Sequence, residues 1–484
     1  MVSDDAPARR RDGVVERLSV GPVKVFLFGD IVLPTGFGRI AAQIGRHLTA
    51  RGYQVLGACI QYDGLLPQPL PFFVAGLAGK DGGMGPMGLA TTAARQIAAF
   101  QPDVVISIQD FPYHEALHGQ GVDWSQMCHV VITPVDGVPV YPKWLQLVDQ
   151  LDGFMTISEF GVEAFRQAGK RASLCPPGVD TNEFFRLPDE KRGELRDRLH
   201  IPRDGFVVGV FAMNQGRKSF PAMVEGFHEA FRDVPNAYLY LDCEKVGAGG
   251  WDIPQSIMLP VGLDPTRVRF REDALQAQIG VQNERYNLLD LHMVIAHREG
   301  LGLPHIEAMG TGIPSVTMNY CSGAEIIGLA GERGWLVAGT KAEYGTWGGA
   351  LDYNADIPDL AAKLRDAYDH PAERIARGAR ALEWVKRERT WERCVLAVED
   401  VVKAAVEKRK PDLERKYQIA MPAPQQVMIP QMPAGQTFSI NINAPVHIVA
   451  NNPQEFADAL IGQAPQPVML VEAVAERKDG DGQA

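Results

Sequence analysis

No apolar run in this 484-residue chain approaches the ~20 residues that cross a bilayer, so no membrane-spanning helix is expected. The opening stretch MVSDDAPARRRDG is polar and lacks the hydrophobic centre of a secretory signal, which leads to the expectation of a cytoplasmic protein. Cysteine is scarce. The six residues Cys59, Cys128, Cys175, Cys243, Cys321 and Cys394 show no short Cys-x-x-Cys spacing, so neither a disulfide framework nor a zinc site is expected, and they read as small core residues. Positive charge is not in excess either: the formal net charge of -11 gives no support for a broad nucleic-acid footprint.

What the chain does have is enough apolar content to build a large core, 46% hydrophobic against 22% charged, and a length that suits two to three domains. Residues 1–20 read as a flexible charged leader. From Val23 to Phe28 runs the first apolar strand, followed by GDIVLPTGFGRIAAQIGRHLTARGYQV, which spells a glycine loop, an amphipathic helix from about Arg39 to Ala50 and a second strand at Tyr53 to Ala58. Further strand-like runs end PDVVISIQD, HVVITPVDG and GFMTISEFG, with helical stretches between some of them. Such alternation predicts an α/β protein with parallel sheets.

The loop Gly36-Phe37-Gly38 with Ala41 superficially fits a dinucleotide fingerprint. That reading is rejected, because Asp30 to Thr35 separate the glycines from the strand and QVLGACI ends without the required acid. A second domain opens at FVVGVF, Phe206 to Phe211, and the loop that follows carries Arg217 and Lys218, two cations suited to neutralising a diphosphate. Its most informative segment is HMVIAHREGLGLPHIEAMGTGIP, residues 292–314. A short buried strand leads into Gly300 and Gly302, which permit a tight bend and close approach to a ligand. Pro304 fits a first helical position, and a helix starting there turns unpaired N–H groups and its positive end toward the loop. Glu299 lies in the loop and Glu307 in the first turn, where its carboxylate can accept hydrogen bonds from ribose-like hydroxyls.

Two glutamates separated by seven residues, with Gly-Leu-Gly-Leu between and EAMGTGIP following, resemble the donor-site signature of retaining glycosyltransferases of family 4, which have the GT-B fold. The departures are Leu301 where the family usually has an aromatic residue, His297-Arg298 where it has serine and a small residue, and Ser219 where a glycine usually follows the lysine. The resemblance runs from residue 22 to about 408 and includes PGVDTNEFF and the turn Ser322-Gly323-Ala324-Glu325, with Glu325 supporting a helix start. It implies two Rossmann-like domains facing across a cleft: residues 22–190 as acceptor domain, 200–388 as donor domain, a charged linker DEKRGELRDRLH between them, and a helix at 389–410 crossing back. Residues 411–484 would be a Pro/Gln/Met-rich linker and small appendage, in which TFSININ pairs with VHIVA and a short helix starts near Asn452.

The resemblance also implies transfer of a sugar from a nucleotide-diphosphate sugar to an acceptor hydroxyl with retained anomeric configuration. Arg217, Lys218 and Glu299 would be catalytic, Gly36, Gly38, Gly300, Leu301, Gly302, Leu303 and Glu307 donor-binding, and Asp110, His114 and Asp136 candidates for the acceptor side. No metal and no cofactor are implied beyond the donor substrate, and no Asp-x-Asp element is aligned with a donor strand. The acceptor stays open among small molecules, glycans, proteins and modified DNA bases. Competing readings are another GT-B-like nucleotide-sugar enzyme such as an epimerase, or a non-catalytic scaffold acting, or self-associating, through its tail.

Overall fold

The computed structural model describes residues 21–33, 35–60, 62, 69–77, 85–247, 249–344, 349–420, 438–440 and 448–450. The chain divides into a body ending at Tyr417 and a segment from Gln418 onward. In the body, the first sheet takes β1 (Lys24–Gly29), β2 (Gln54–Cys59), β3 (Phe73–Gly76), β4 (Val104–Ile108), β5 (Cys128–Thr133), β6 (Gly153–Thr156) and β7 (Ser173–Leu174) in the order β3-β2-β1-β4-β5-β6-β7. The second takes β8 (Phe206–Phe211), β9 (Ala237–Asp242), β10 (Val268–Phe270), β11 (Leu291–Val294), β12 (Ser315–Met318) and β13 (Gly334–Val337) in the order β10-β9-β8-β11-β12-β13. Every pairing in both is parallel. Each sheet therefore reverses its strand order between its first strand and its fourth, which opens a crevice at the carboxyl ends where ligands bind in such folds. The central strands β4, β5 and β8 are buried at every position, as sheets covered by helices on both faces require.

Three differences from the sequence reading have local causes. The stretch read as a charged linker is the helix Asp189–Arg198, and two of its arginines are buried. Arg196 donates to the carbonyls of Leu288, Arg203 and Gly205 and to Asp290 Oδ2, while Arg192 donates to those of Asn287 and Leu289, so the charges are held by carbonyls that would otherwise be unpaired. An antiparallel hairpin, β14 (Gly339–Tyr344) and β15 (Leu351–Ala355), follows β13 where no element was expected. The last helix runs Trp391–Ala420, past Lys410 and through Pro411. It packs on the first domain, with Val401 against Gly153, Arg409 paired with Asp152, and Lys416 and Tyr417 bonded to the fully buried Asp103. A linker beginning at 411 is thus corrected: these anchors lie beyond it.

In the segment from Gln418 onward, β16 (Phe438–Ile440) pairs antiparallel with β17 (Ile448–Ala450). The expected leader, the Pro/Gln/Met linker and the helix near Asn452 lie outside the described residues. No described helix is long and apolar enough to cross a membrane.

Candidate functional site

Strand adjacency brings the cations and the first glutamate together. Because β8 pairs with β11, the loop after Phe211 lies beside the loop after Val294, and His297 N donates to the Arg217 carbonyl at 2.9 Å. Lys218, only 8% exposed, forms an ion pair with Glu299 Oε2, and Arg217 Nη1 lies 3.6 Å from the same oxygen. Burial opposes ionisation of Glu299, but Lys218 and Arg217 outweigh it and hold the carboxyl down at about 2. Burial lowers the Lys218 pKa, and Glu299 offsets part of that. Ser219, where the family's glycine was missing, has φ 38° and ψ 48°. It adopts the left-handed conformation glycine would supply, so the loop keeps its turn.

The helix Leu303–Gly310 begins as the sequence indicates, with Gly302 left-handed at φ 82° as its N-cap and Pro304 in its first turn. Gly300 is required by proximity: a Cβ there would lie 2.7 Å from Pro134 Cβ and 2.8 Å from Asp136 Oδ1, both in the first domain. The loop is braced from beneath by Ser322 Oγ, which donates to the carbonyls of Glu299 and Leu301. Glu307 is 3% exposed and accepts from Tyr286 OH at 2.8 Å and Gln282 Nε2 at 3.0 Å, with Arg39 of the first domain paired to its other oxygen. Leu301 is corrected from a donor contact to a packing residue, since it is 1% exposed in the same apolar core as Ile306.

Gly36 and Gly38 also change role. They occupy the first turn of the helix Gly36–Ala50, not a loop before it; Thr35 Oγ1 accepts from Gly38 N as the N-cap. Gly38 is a close-packing glycine, since a Cβ would fall 2.0 Å from the Leu33 carbonyl oxygen. Gly36 does face the cleft, 3.2 Å from Leu303 Cδ1 at its Cβ position.

Across the cleft, the carboxyl ends of the neighbouring strands β1, β4 and β5 carry Asp30, Asp110 and Asp136. Gln109 joins two of them, donating to Asp30 Oδ1 at 3.2 Å and accepting from Asp110 N at 3.0 Å. Burial, then Asp136 and Asp30, push the Asp110 carboxyl up to about 6, with Arg217 pulling the other way. Burial also raises Asp136 and Asp30. His114 is corrected. It is fully buried inside the first domain, its ring nitrogens bonded to Ser107 Oγ (2.9 Å) and the Gln109 carbonyl (2.7 Å), and burial lowers it to about 4. It holds the β4 loop from behind.

Glu325 spans the domains: its Oε2 accepts from the N–H groups of Glu159 and Phe160 at the start of the helix Glu159–Gln167, and its Oε1 pairs with Arg389. The sequence reading missed Asp30, Arg39, Gln109, Gln282 and Tyr286. A helical spacing of four between Gln282 and Tyr286 was the one available sign that these two share a face. Among the described residues no group of three or more His, Cys, Asp or Glu is placed to hold a metal.

Two parallel α/β domains meeting at a cation-lined cleft define the GT-B glycosyltransferase fold, and the comparisons agree. Sucrose-phosphate synthase from Thermosynechococcus elongatus superposes with a TM-score of 0.62 at 16% identity, covering 80% of this chain and 100% of that one. Anabaena HepE, solved in complex with UDP and glucose, superposes with a TM-score of 0.59 at 17% identity, covering 79% and 100%. By sequence, mannosylfructose-phosphate synthase of Agrobacterium fabrum is 28% identical over 171 residues, 34% of this chain and 35% of the relative. D-inositol 3-phosphate glycosyltransferase of Kineococcus radiotolerans is 30% identical over 213 residues, 43% of this chain and 46% of the relative. The chain's relatives are thus glycosyltransferases of the family 4 type, and the matches span between a third and a half of these two. No protein-family model matches the chain.

Proposed function

We propose that this protein is a retaining glycosyltransferase that moves a sugar from a nucleotide-diphosphate sugar to an acceptor hydroxyl in the cleft between its domains. The observation that carries the reading is the convergence of Arg217 and Lys218 on Glu299 beside the N-terminus of the helix Leu303–Gly310. An anionic diphosphate entering there meets two cations and the positive end of the helix, fixed before it arrives, and their pull grows as charge develops on the departing group. The bond from the anomeric carbon to the diphosphate breaks, the bond to the acceptor oxygen forms on the same face, and the hydroxyl proton leaves with the diphosphate. Arg217, Lys218 and the helix supply the stabilisation that a metal ion gives in other transferases. Glu307 accepts the ribose hydroxyls and Asp110 and Asp136 face the acceptor. No described cysteine is in a disulfide and five of the six are buried, which suits a reducing cytoplasm.

The test is to incubate the full chain with UDP-, GDP-, ADP- and TDP-sugars, follow nucleoside diphosphate release with and without hydroxylated acceptors, and read the product's anomeric configuration by NMR. Release from one donor and a retained configuration are expected. No release from any donor, or an inverted product, would overturn the proposal.

A further inference from the structure

Glu307 has more side-chain partners than a ribose-binding carboxylate needs. Its Oε2 accepts from Tyr286 OH and Gln282 Nε2, and its Oε1 is paired with Arg39 Nη1. Arg39 Nη2 donates to Gln282 Oε1 at 2.8 Å, which closes a ring of three side chains. Gln282 and Tyr286 belong to the donor domain, and Tyr286 is fixed by stacking on Phe211 with ring centroids 3.8 Å apart. Arg39 comes from the first domain, early in the helix Gly36–Ala50, and its side chain remains 28% exposed. Nearby, Gly36 lies against Leu303 and Leu351 N donates to the Val138 carbonyl, so the two domains touch on both sides of the cleft.

We propose that Arg39 is a latch across the cleft: it holds Glu307, and the donor's ribose must displace it. The inference rests on the donor-site reading of Glu307. The physical argument is competition. A charge-assisted pair occupies the oxygen that the hydroxyl would use, so the binding-competent state is a fraction of the population and the apparent affinity falls by that fraction. Tyr286 and Gln282 stay with Glu307 after the exchange and keep its carboxylate oriented. Arg39 thereby makes the strength of donor binding depend on how firmly the first domain is docked.

The experiment titrates UDP and GDP into the wild type and Arg39→Met, a substitution that keeps most of the stem and leaves Glu307 two neutral partners. The variant is expected to bind the preferred nucleotide about five- to tenfold more tightly. Tightening is the informative direction, because damage to the fold would weaken binding. Equal or weaker binding overturns the latch and leaves Arg39 a bystander or a direct donor contact. If no nucleotide binds either protein, the donor-site reading has failed and the contact is judged by melting: Arg39→Met, Glu307→Gln and the double variant should lower the melting temperature non-additively. Additive losses would overturn the contact.

Discussion

The two halves of the cleft handle charge in opposite ways. In the second domain the two glutamates of the cleft have counter-charges at hand: Lys218 and Arg217 face Glu299, and Glu307 is surrounded by Arg39 of the first domain, Gln282 and Tyr286. In the first domain Asp30, Asp110 and Asp136 gather on adjacent strand ends, and burial and mutual repulsion raise the Asp110 carboxyl. A half-site whose charges are balanced is prepared for an anion that exchanges partners. A half-site whose carboxylates crowd one another holds stored electrostatic cost and favours neutral hydroxylated ligands over anionic ones.

This contrast can be broken most forcefully in the second domain. Replacing Arg217 and Lys218 together with Ala should lower kcat about 10²- to 10³-fold while KM for the donor changes less, measured by steady-state kinetics. A raised KM with kcat unchanged would reduce the pair to uniform binding. Glu299→Ala strands Lys218, 8% exposed, without its counter-charge and should cost about 3 kcal/mol in denaturant unfolding. The pH dependence has a definite sign. The folded-state pKa of Glu299, about 2, lies below its ordinary 4.5, so its contribution is complete above pH 4.5 and is lost as pH falls from there toward about 2.

The first domain's carboxylates should respond in reverse. Asp110 is raised from 3.8 to about 6, so the folded protein binds the extra proton between those values and loses stability as pH rises through that window. Asp110→Asn should remove this loss and raise stability at pH 7 by about 1–3 kcal/mol, read from melting curves across pH. A variant that melts lower at neutral pH would show that the carboxylates are compensated after all. The smallest effect is expected at Ser219, where the left-handed backbone carries a non-glycine residue. Ser219→Gly should stabilise by about 0.5 kcal/mol if relief of strain outweighs the added chain entropy.

Much of the fold was legible because parallel strands buried on both faces announce themselves as apolar runs, and β8 fell at Phe206–Phe211 as read. The helix start at Leu303–Pro304 was legible too, since Gly302 and Pro304 carry backbone constraints in their own chemistry. What escaped depended on distant partners. Arg39 and Gln282 are separated by 243 positions, and nothing in either neighbourhood announces the other. The helix Asp189–Arg198 read as a linker because its composition is charged, and only the carbonyls it meets explain why two arginines are buried. His114 sits just beyond a strand end in sequence, yet Ser107 and the Gln109 carbonyl turn it inward. The end of the last helix was missed for a similar reason: its anchor, Asp103, lies in the first domain.

The central claim is that the cation pair and Glu307 form a nucleotide-sugar site. The most direct measurement is a thermal-shift screen of the full chain and of Glu307→Ala against UDP-, GDP-, ADP- and TDP-sugars, since a ligand that binds only the native state raises the melting temperature by mass action. A shift selective for one nucleotide, lost in a variant that still folds, is the predicted result. No shift with any donor, or the same shift in both proteins, would contradict it.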